Sequence, residues 1–130
     1  FRRNKMHPNH DTAVTMIRSA IHKAQTDGMV IGQKDYGIFL NADGFYQRCN
    51  GQYLGPAICP LAAVVLYFGN SESECNLGLF ERLKIMGVSF GWSADFIDGF
   101  DNERHTYRNY DDDAYEAGQK IAKELGLIRP

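Results

Sequence analysis

Hydrophobic residues recur at helical spacing in an early stretch of the chain. The positions that fall on one helical face are Val14, Ile17, Ala20, Ile21 and Ala24. Asp11 or Thr12 can cap the N-terminus of this helix by accepting backbone N–H bonds. Gly28 can end it, because glycine adopts a left-handed conformation without a Cβ clash. The pattern therefore predicts an amphipathic helix between Asp11 and Gly28.

The same spacing returns at the end of the chain. The apolar stripe there consists of Ala114, Tyr115, Gly118, Ile121, Ala122 and Leu125. Three aspartates, residues 111–113, supply a cap and favourable charge for a helix N-terminus, and Gly126 can end the helix. Gly118 lies in the middle of this helix, where it costs stability unless it allows another backbone to approach closely.

Between these helices, the segment from Cys59 to Phe68 is apolar on every side. Such a segment is typical of an element that is buried all round. Pro60 suits a first helical turn, where its missing N–H would have no partner in any case. We predict a buried central helix over residues 60–68, with a buried strand as the alternative.

Alternating residues precede this segment. Tyr36, Ile38 and Leu40 alternate with Gly37 and Phe39, a turn signal follows over residues 41–44, and residues 45–47 begin a return strand. We predict an antiparallel β-hairpin over about residues 35–48, with residues 29–31 as a candidate third strand.

Two shorter helices complete the pattern. One runs from Leu77 to Met86 and is closed by Gly87, and the other is capped by Ser93, with Trp92 placed to contact Ile97. The predicted fold class is α+β and mainly helical. About five helices surround the 60–68 helix, and the hairpin packs on one side. Residues 1–10 are predicted to be an irregular arm and residues 11–130 a single globular domain.

Composition narrows the class of protein. The chain has 130 residues, of which 44% are hydrophobic, and a formal net charge of -2. This profile is typical of a folded globular domain rather than a disordered chain, and it argues against broad nucleic-acid binding.

The longest apolar run is far shorter than the ~20 residues of a membrane-spanning helix. Three cysteines cannot form a complete set of internal disulfides, so we expect a soluble, cytoplasmic protein. The acidic stretch from Asp95 to Asp113 is interpreted as a solvated edge.

Cys59 is the candidate for nucleophilic chemistry. It directly precedes the predicted 60–68 helix, and backbone N–H groups at a helix N-terminus stabilise a thiolate. His105 and Asp111 follow in the chain order of a nucleophile, its base and an orienting group. These three residues define one hypothesis, a small cysteine-dependent enzyme that is either a hydrolase or a thiol redox protein. The alternative is that Cys59 packs in the core as a small hydrophobic residue.

The loop over residues 102–110 is a candidate partner surface. It carries Arg104, Tyr107, Arg108 and Tyr110, and arginine and tyrosine are enriched at interface hot spots. The alternative is that Tyr107 and Tyr110 pack back on the core. Flanking acids would repel phosphate, so a protein partner is favoured over nucleic acid. A non-enzymatic protein-interaction or adaptor domain is the favoured function, and homo-oligomer formation stays open.

A third hypothesis is a small-ligand-binding domain. Its pocket would lie between the hairpin and the helices, lined by Tyr36, Phe39, Phe45 and Tyr46. The sequence predicts no metal site and no cofactor. His7 and His10 lack a second close pair of ligands, and Asp95, Asp98 and Asp101 lack the alternate-residue spacing of a calcium loop.

Overall fold

A computed structural model describes residues 6–33, 39–40, 46–47, 57–68, 83–103 and 111–128. This part of the chain is mostly helical. Its four α-helices are α1 (His10–Thr26), α2 (Pro60–Phe68), α3 (Phe90–Phe100) and α4 (Asp112–Glu124), and a 3-10 turn spans Leu83–Met86. Its strands are β1 (Val30–Ile31), β2 (Phe39–Leu40), β3 (Tyr46–Gln47) and β4 (Ala57–Ile58). The predicted mainly helical class is confirmed, whereas five helices are not.

The helices form two pairs rather than a ring around α2. α1 packs against α2, α3 packs against α4, and α1 also contacts α4. The first half of α2 is buried as predicted, with Leu61 and Val64 at 0% exposure. From Val65 to Phe68 the helix is only half-buried, so burial on every side holds for its first half alone.

The strands are short and pair in two separate ladders. β2 pairs antiparallel with β3, in the register Phe39 with Gln47 and Leu40 with Tyr46. Two residue pairs do not confirm a hairpin over 35–48, and the other residues of that range lie outside the described residues. β1 pairs in parallel with β4, and the Gly32 N–H extends this ladder by donating to the Ile58 carbonyl at 2.9 Å. A strand therefore exists at Val30–Ile31, within the predicted third strand. Its described partner is β4, and not a strand of the predicted hairpin.

α1 begins earlier than its sequence indicated. Its N-cap residue is Asn9, with no side-chain cap hydrogen bond, so the cap predicted at Asp11 or Thr12 is wrong. The Asn9 amide instead donates to the Gly87 carbonyl at 2.6 Å, which ties the start of α1 to the residues before α3. The end of α1 is confirmed, since Gly28 has a φ of +85°.

α3 also begins before its predicted start. Ser89, not Ser93, is its N-cap, and the Ser89 hydroxyl accepts the Trp92 N–H at 3.0 Å. Trp92 and Ser93 lie inside the helix, and they are 0% and 1% exposed. The helix does not start between them, so the contact of Trp92 with Ile97 that was predicted for a helix start is wrong. The Trp92 ring instead stacks on Phe96, one helical turn later, with ring centroids 5.5 Å apart.

The predicted helix from Leu77 to Met86 is described only in its last four residues. These form the 3-10 turn, and Gly87 follows with a φ of +70°. Residues 77–82 lie outside the described residues. α4 matches its prediction closely, because the Asp111 carboxylate caps it by accepting the Ala114 N–H at 3.0 Å.

Candidate functional site

Cys59 lies between β4 and α2, where the chain leaves a strand and enters a helix. Its sulfur accepts a hydrogen bond from the Ala62 N–H, at 3.4 Å, so the side chain caps the first turn of α2. The residue is only 2% exposed. The arrangement therefore combines a donor to the sulfur with little room for a reagent or substrate to reach it.

The two proposed partners of Cys59 are not brought to it by any described contact. His105 lies outside the described residues, so the structure does not test its role. Asp111 is the N-cap of α4, and its carboxylate is hydrogen-bonded to the Ala114 N–H. The catalytic set of Cys59, His105 and Asp111 consequently stays a prediction.

Asp111 also has a second contact, which the sequence did not indicate. Its backbone N–H donates to the Asp95 carboxylate of α3 at 2.6 Å, and Asp95 is 2% exposed. Asp98 and Asp101 are 8% and 7% exposed. The expectation of a solvated acidic edge is therefore wrong for these three residues. Their spacing of three was the available signal, since it places them on one side of a helix.

The carboxylate of Asp95 lies at the base of the 102–110 loop. At the start of that loop, the Glu103 N–H donates to the Asp98 carbonyl at 2.8 Å, and Asn102 adopts a φ of +58°. At its end, Asp111 is held by Asp95 as described above. Residues of α3 thus fix both ends of the loop, whereas its binding candidates Arg104, Tyr107, Arg108 and Tyr110 lie outside the described residues.

A buried histidine links the start of α1 to α3. His10 is 8% exposed, and its Nδ1 accepts the indole N–H of Trp92 at 3.2 Å. The two rings meet edge to face, with centroids 5.6 Å apart. His7 is engaged as well, because its Nδ1 accepts the Asn9 N–H at 3.0 Å. In this arrangement Nδ1 of each histidine serves a structural hydrogen bond rather than a metal.

An ion pair on the surface joins α1 to α4. The guanidinium of Arg18 donates to the carboxylate of Glu124, and both side chains are 42% exposed. The hydrogen bond from Arg18 lowers the pKa of Glu124, against a smaller opposing effect of burial. The exposure of both partners limits the stability that this pair contributes.

A shallow, open groove of about 460 Å³ runs along the outer face of α1. It is lined by Asp11, Thr12, Thr15, Met16, Ser19 and Phe68. Beside its Phe68 wall, the ammonium of Lys23 lies 4.5 Å from the centroid of the phenyl ring. The apolar stripe of α1 gave no indication of this surface, because the groove lies among the polar and half-buried residues on another side of the helix.

The predicted ligand pocket falls mostly outside the described residues. Tyr36 and Phe45 are not described, and for Phe39 and Tyr46 only the backbone pairing of β2 with β3 is known. Among the residues that the structure describes, no three histidine, cysteine or acidic side chains are grouped as metal ligands. Within the same ranges, no helix combines the length and apolar character needed to cross a bilayer.

Comparisons with protein-family models, curated proteins and solved structures find no match to this chain. Its function must therefore be inferred from its own residues.

Proposed function

We propose that this chain is a non-enzymatic protein-interaction domain that binds a protein partner through the loop over residues 102–110. The observation that carries the proposal is the hydrogen bond from the Asp111 N–H to the buried Asp95 carboxylate. Together with the bond from the Glu103 N–H to the Asp98 carbonyl, it anchors the loop at both ends on one helix. A loop that is anchored in this way loses less conformational freedom when it binds.

The side chains of the loop support the same function. Arg104, Tyr107, Arg108 and Tyr110 offer large contact areas together with hydrogen-bonding groups, which is the combination found at interface hot spots. Three described side chains that were candidates for chemistry already have structural contacts. Cys59 and Asp111 cap helices, and His10 accepts a hydrogen bond from Trp92.

Site-specific photo-crosslinking tests this proposal. A photoreactive amino acid is placed at Tyr107 in one protein and at Lys120, an exposed residue of α4, in a matched control. After irradiation in an extract of the source cells, we expect a protein adduct from position 107 that is absent from position 120. The Arg108→Ala substitution should reduce the yield of this adduct severalfold. Identical adducts from both positions, or a yield that ignores Arg108→Ala, would refute the proposal.

The second candidate function is a cysteine-dependent enzyme. It is favoured by one observation, the N–H of Ala62 that points at the Cys59 sulfur. Such a donor at a helix N-terminus stabilises a thiolate. The 2% exposure of Cys59 works against it, because a nucleophile must reach its substrate.

Thiol alkylation separates the two candidates. Cys49 and Cys75 are replaced by serine, so that only Cys59 can react with iodoacetamide, and the rate is followed against pH. An activated nucleophile would react in the native protein well below pH ~8.5, the ordinary pKa of a free thiol. If the chain is an interaction domain, we expect Cys59 to be protected from iodoacetamide at every pH at which the protein stays folded. Rapid alkylation of the native protein near neutral pH would favour the enzyme.

A further inference from the structure

The outer face of α1 carries a second surface, formed by residues remote in sequence from the 102–110 loop. Thr12 lies three and four residues before Thr15 and Met16, and Ser19 lies four and three residues after them, so the four residues form one stripe along the helix. Thr12 and Thr15 are exposed, and Met16 and Ser19 are half-buried. Together with Phe68 at the end of α2, this stripe forms the groove of about 460 Å³ described above. We call it the α1 groove.

The α1 groove has opposite charges at its two ends. Asp11 lines its N-terminal end, and one helical turn beyond Ser19 at the other end the ammonium of Lys23 lies over the ring of Phe68, 4.5 Å from its centroid. Both side chains are exposed to solvent. Twelve residues separate them along α1, which at 1.5 Å per residue is about 18 Å. A complementary occupant must therefore present a cation and an anion at the same separation.

We propose that a second copy of this chain occupies the α1 groove. When two α1 helices lie antiparallel about a two-fold axis, Asp11 of each copy faces Lys23 of the other. The same register sets Thr15 opposite Ser19 and brings the two Met16 side chains near the axis. A two-fold interface requires a surface that is complementary to itself, and an antiparallel pair of α1 helices meets that requirement because each exposed Asp11 is matched by an exposed Lys23 of the other copy.

The side chains along the middle of the stripe are compatible with close helix pairing. Thr15 and Ser19 are small, so two helix backbones can approach each other, and their hydroxyl groups can exchange hydrogen bonds. Met16 adapts its shape readily and supplies the apolar contact at the centre. An interface of about three helical turns lies at the small end of specific interfaces, so the dimer should form and dissociate with concentration.

Sedimentation velocity over micromolar to millimolar protein concentrations tests the proposal with a charge exchange. Asp11→Lys places two cations opposite each other in a homodimer, and Lys23→Asp places two anions there. Each variant alone should dimerise at least about tenfold more weakly than the wild-type chain, because like charges then face each other twice. When the two variants are mixed, both charge pairs become attractive again, and a heterodimer should form. The double variant Asp11→Lys/Lys23→Asp should also dimerise.

A matched pair on α4 provides the control. Glu116→Lys and Lys120→Asp change the same charges at exposed positions outside the groove, so they should dimerise like the wild-type chain. Thermal unfolding of every variant shows that it is folded. A wild-type chain that remains monomeric throughout would overturn the proposal. So would a dimer that resists both groove variants, or a mixture that associates no better than its components. None of these outcomes depends on whether the 102–110 loop binds a partner.

Discussion

Gly118 of α4 lies directly against the backbone carbonyl of Phe96 on α3. A Cβ atom added to Gly118 would stand 2.1 Å from that oxygen. Gly99 of α3 makes the reciprocal contact, since a Cβ there would stand 2.0 Å from the Tyr115 carbonyl of α4. The two glycines allow the two helix backbones to touch, which explains why a residue that weakens an isolated helix lies in the middle of α4 and in the last turn of α3.

We predict that Gly118→Ala destabilises the protein by about 2 kcal/mol or more, because the contact is with backbone atoms that cannot rotate away. Helix propensity alone would predict a gain of about 1 kcal/mol. Urea unfolding measures the difference. Lys120→Ala, on the exposed side of the same helix, should stay within about 0.5 kcal/mol of wild type. A Gly118→Ala protein that is as stable as wild type would show that the helices do not approach so closely.

The start of α3 is the subject of a second prediction. Ser89→Ala removes the hydroxyl that accepts the Trp92 N–H, so it should cost about 1 kcal/mol of unfolding free energy. Ser89→Asp retains an acceptor and adds a favourable charge at the helix N-terminus, so it should be as stable as wild type. Equal losses for both substitutions would mean that Ser89 does not act through this hydrogen bond.

A third prediction concerns the buried contact of His10 with Trp92. Trp92→Phe removes the indole N–H that donates to Nδ1 of His10. The loss of unfolding free energy should therefore exceed the loss expected from the smaller volume of the phenyl ring alone. A double-mutant cycle with Trp92→Phe and His10→Leu isolates the pair, and we expect a coupling energy of about 1 kcal/mol. A cycle between His10→Leu and Lys84→Ala, an exposed residue, should show additive losses. Additive losses in the cycle of Trp92→Phe with His10→Leu would show that the hydrogen bond between these residues does not stabilise the protein.

The fourth prediction follows from the lowered pKa of Glu124. A carboxyl group whose pKa is lower in the folded protein stabilises it above the unfolded value of about 4.3, and that stability is lost as the pH falls through the folded value. Both partners are largely exposed, so Glu124→Gln should cost at most about 0.5 kcal/mol at pH 7. The difference from wild type should vanish in acid and shrink in high salt. A difference that persists unchanged at pH 2 would contradict an origin in this ion pair.

Local signals in the sequence were sufficient for the body and the end of α1 and for the whole of α4. The apolar residues of α4 repeat at helical spacing, Asp111 can reach the Ala114 N–H within its own turn, and Gly126 adopts the left-handed conformation that ends a helix. Each of these features depends on residues only a few positions apart. The buried first half of α2 was also predictable, because an unbroken apolar run has no side that favours water.

Contacts between distant residues decided the rest. Asn9 replaces Asp11 at the start of α1, and its side chain bonds to Gly87, 78 residues away. Asp95 is buried where α3 packs against α4, and the N–H of Asp111, the N-cap residue of α4, donates to its carboxylate there. No local pattern encodes such a partner, so the acidic stretch was expected to face solvent.

The sequence by itself determined where helices can form and which of their faces avoid water, because these properties follow from residue spacing and from the chemistry of caps and glycines. Only the tertiary structure decided that α3 meets α4 through Gly99 and Gly118, that β1 pairs with β4, and that Asp95 holds Asp111. These choices depend on which backbone atoms come within contact distance after folding. Nearly every residue offers the same backbone N–H and C=O groups, so the order of side chains does not reveal which of these groups will meet.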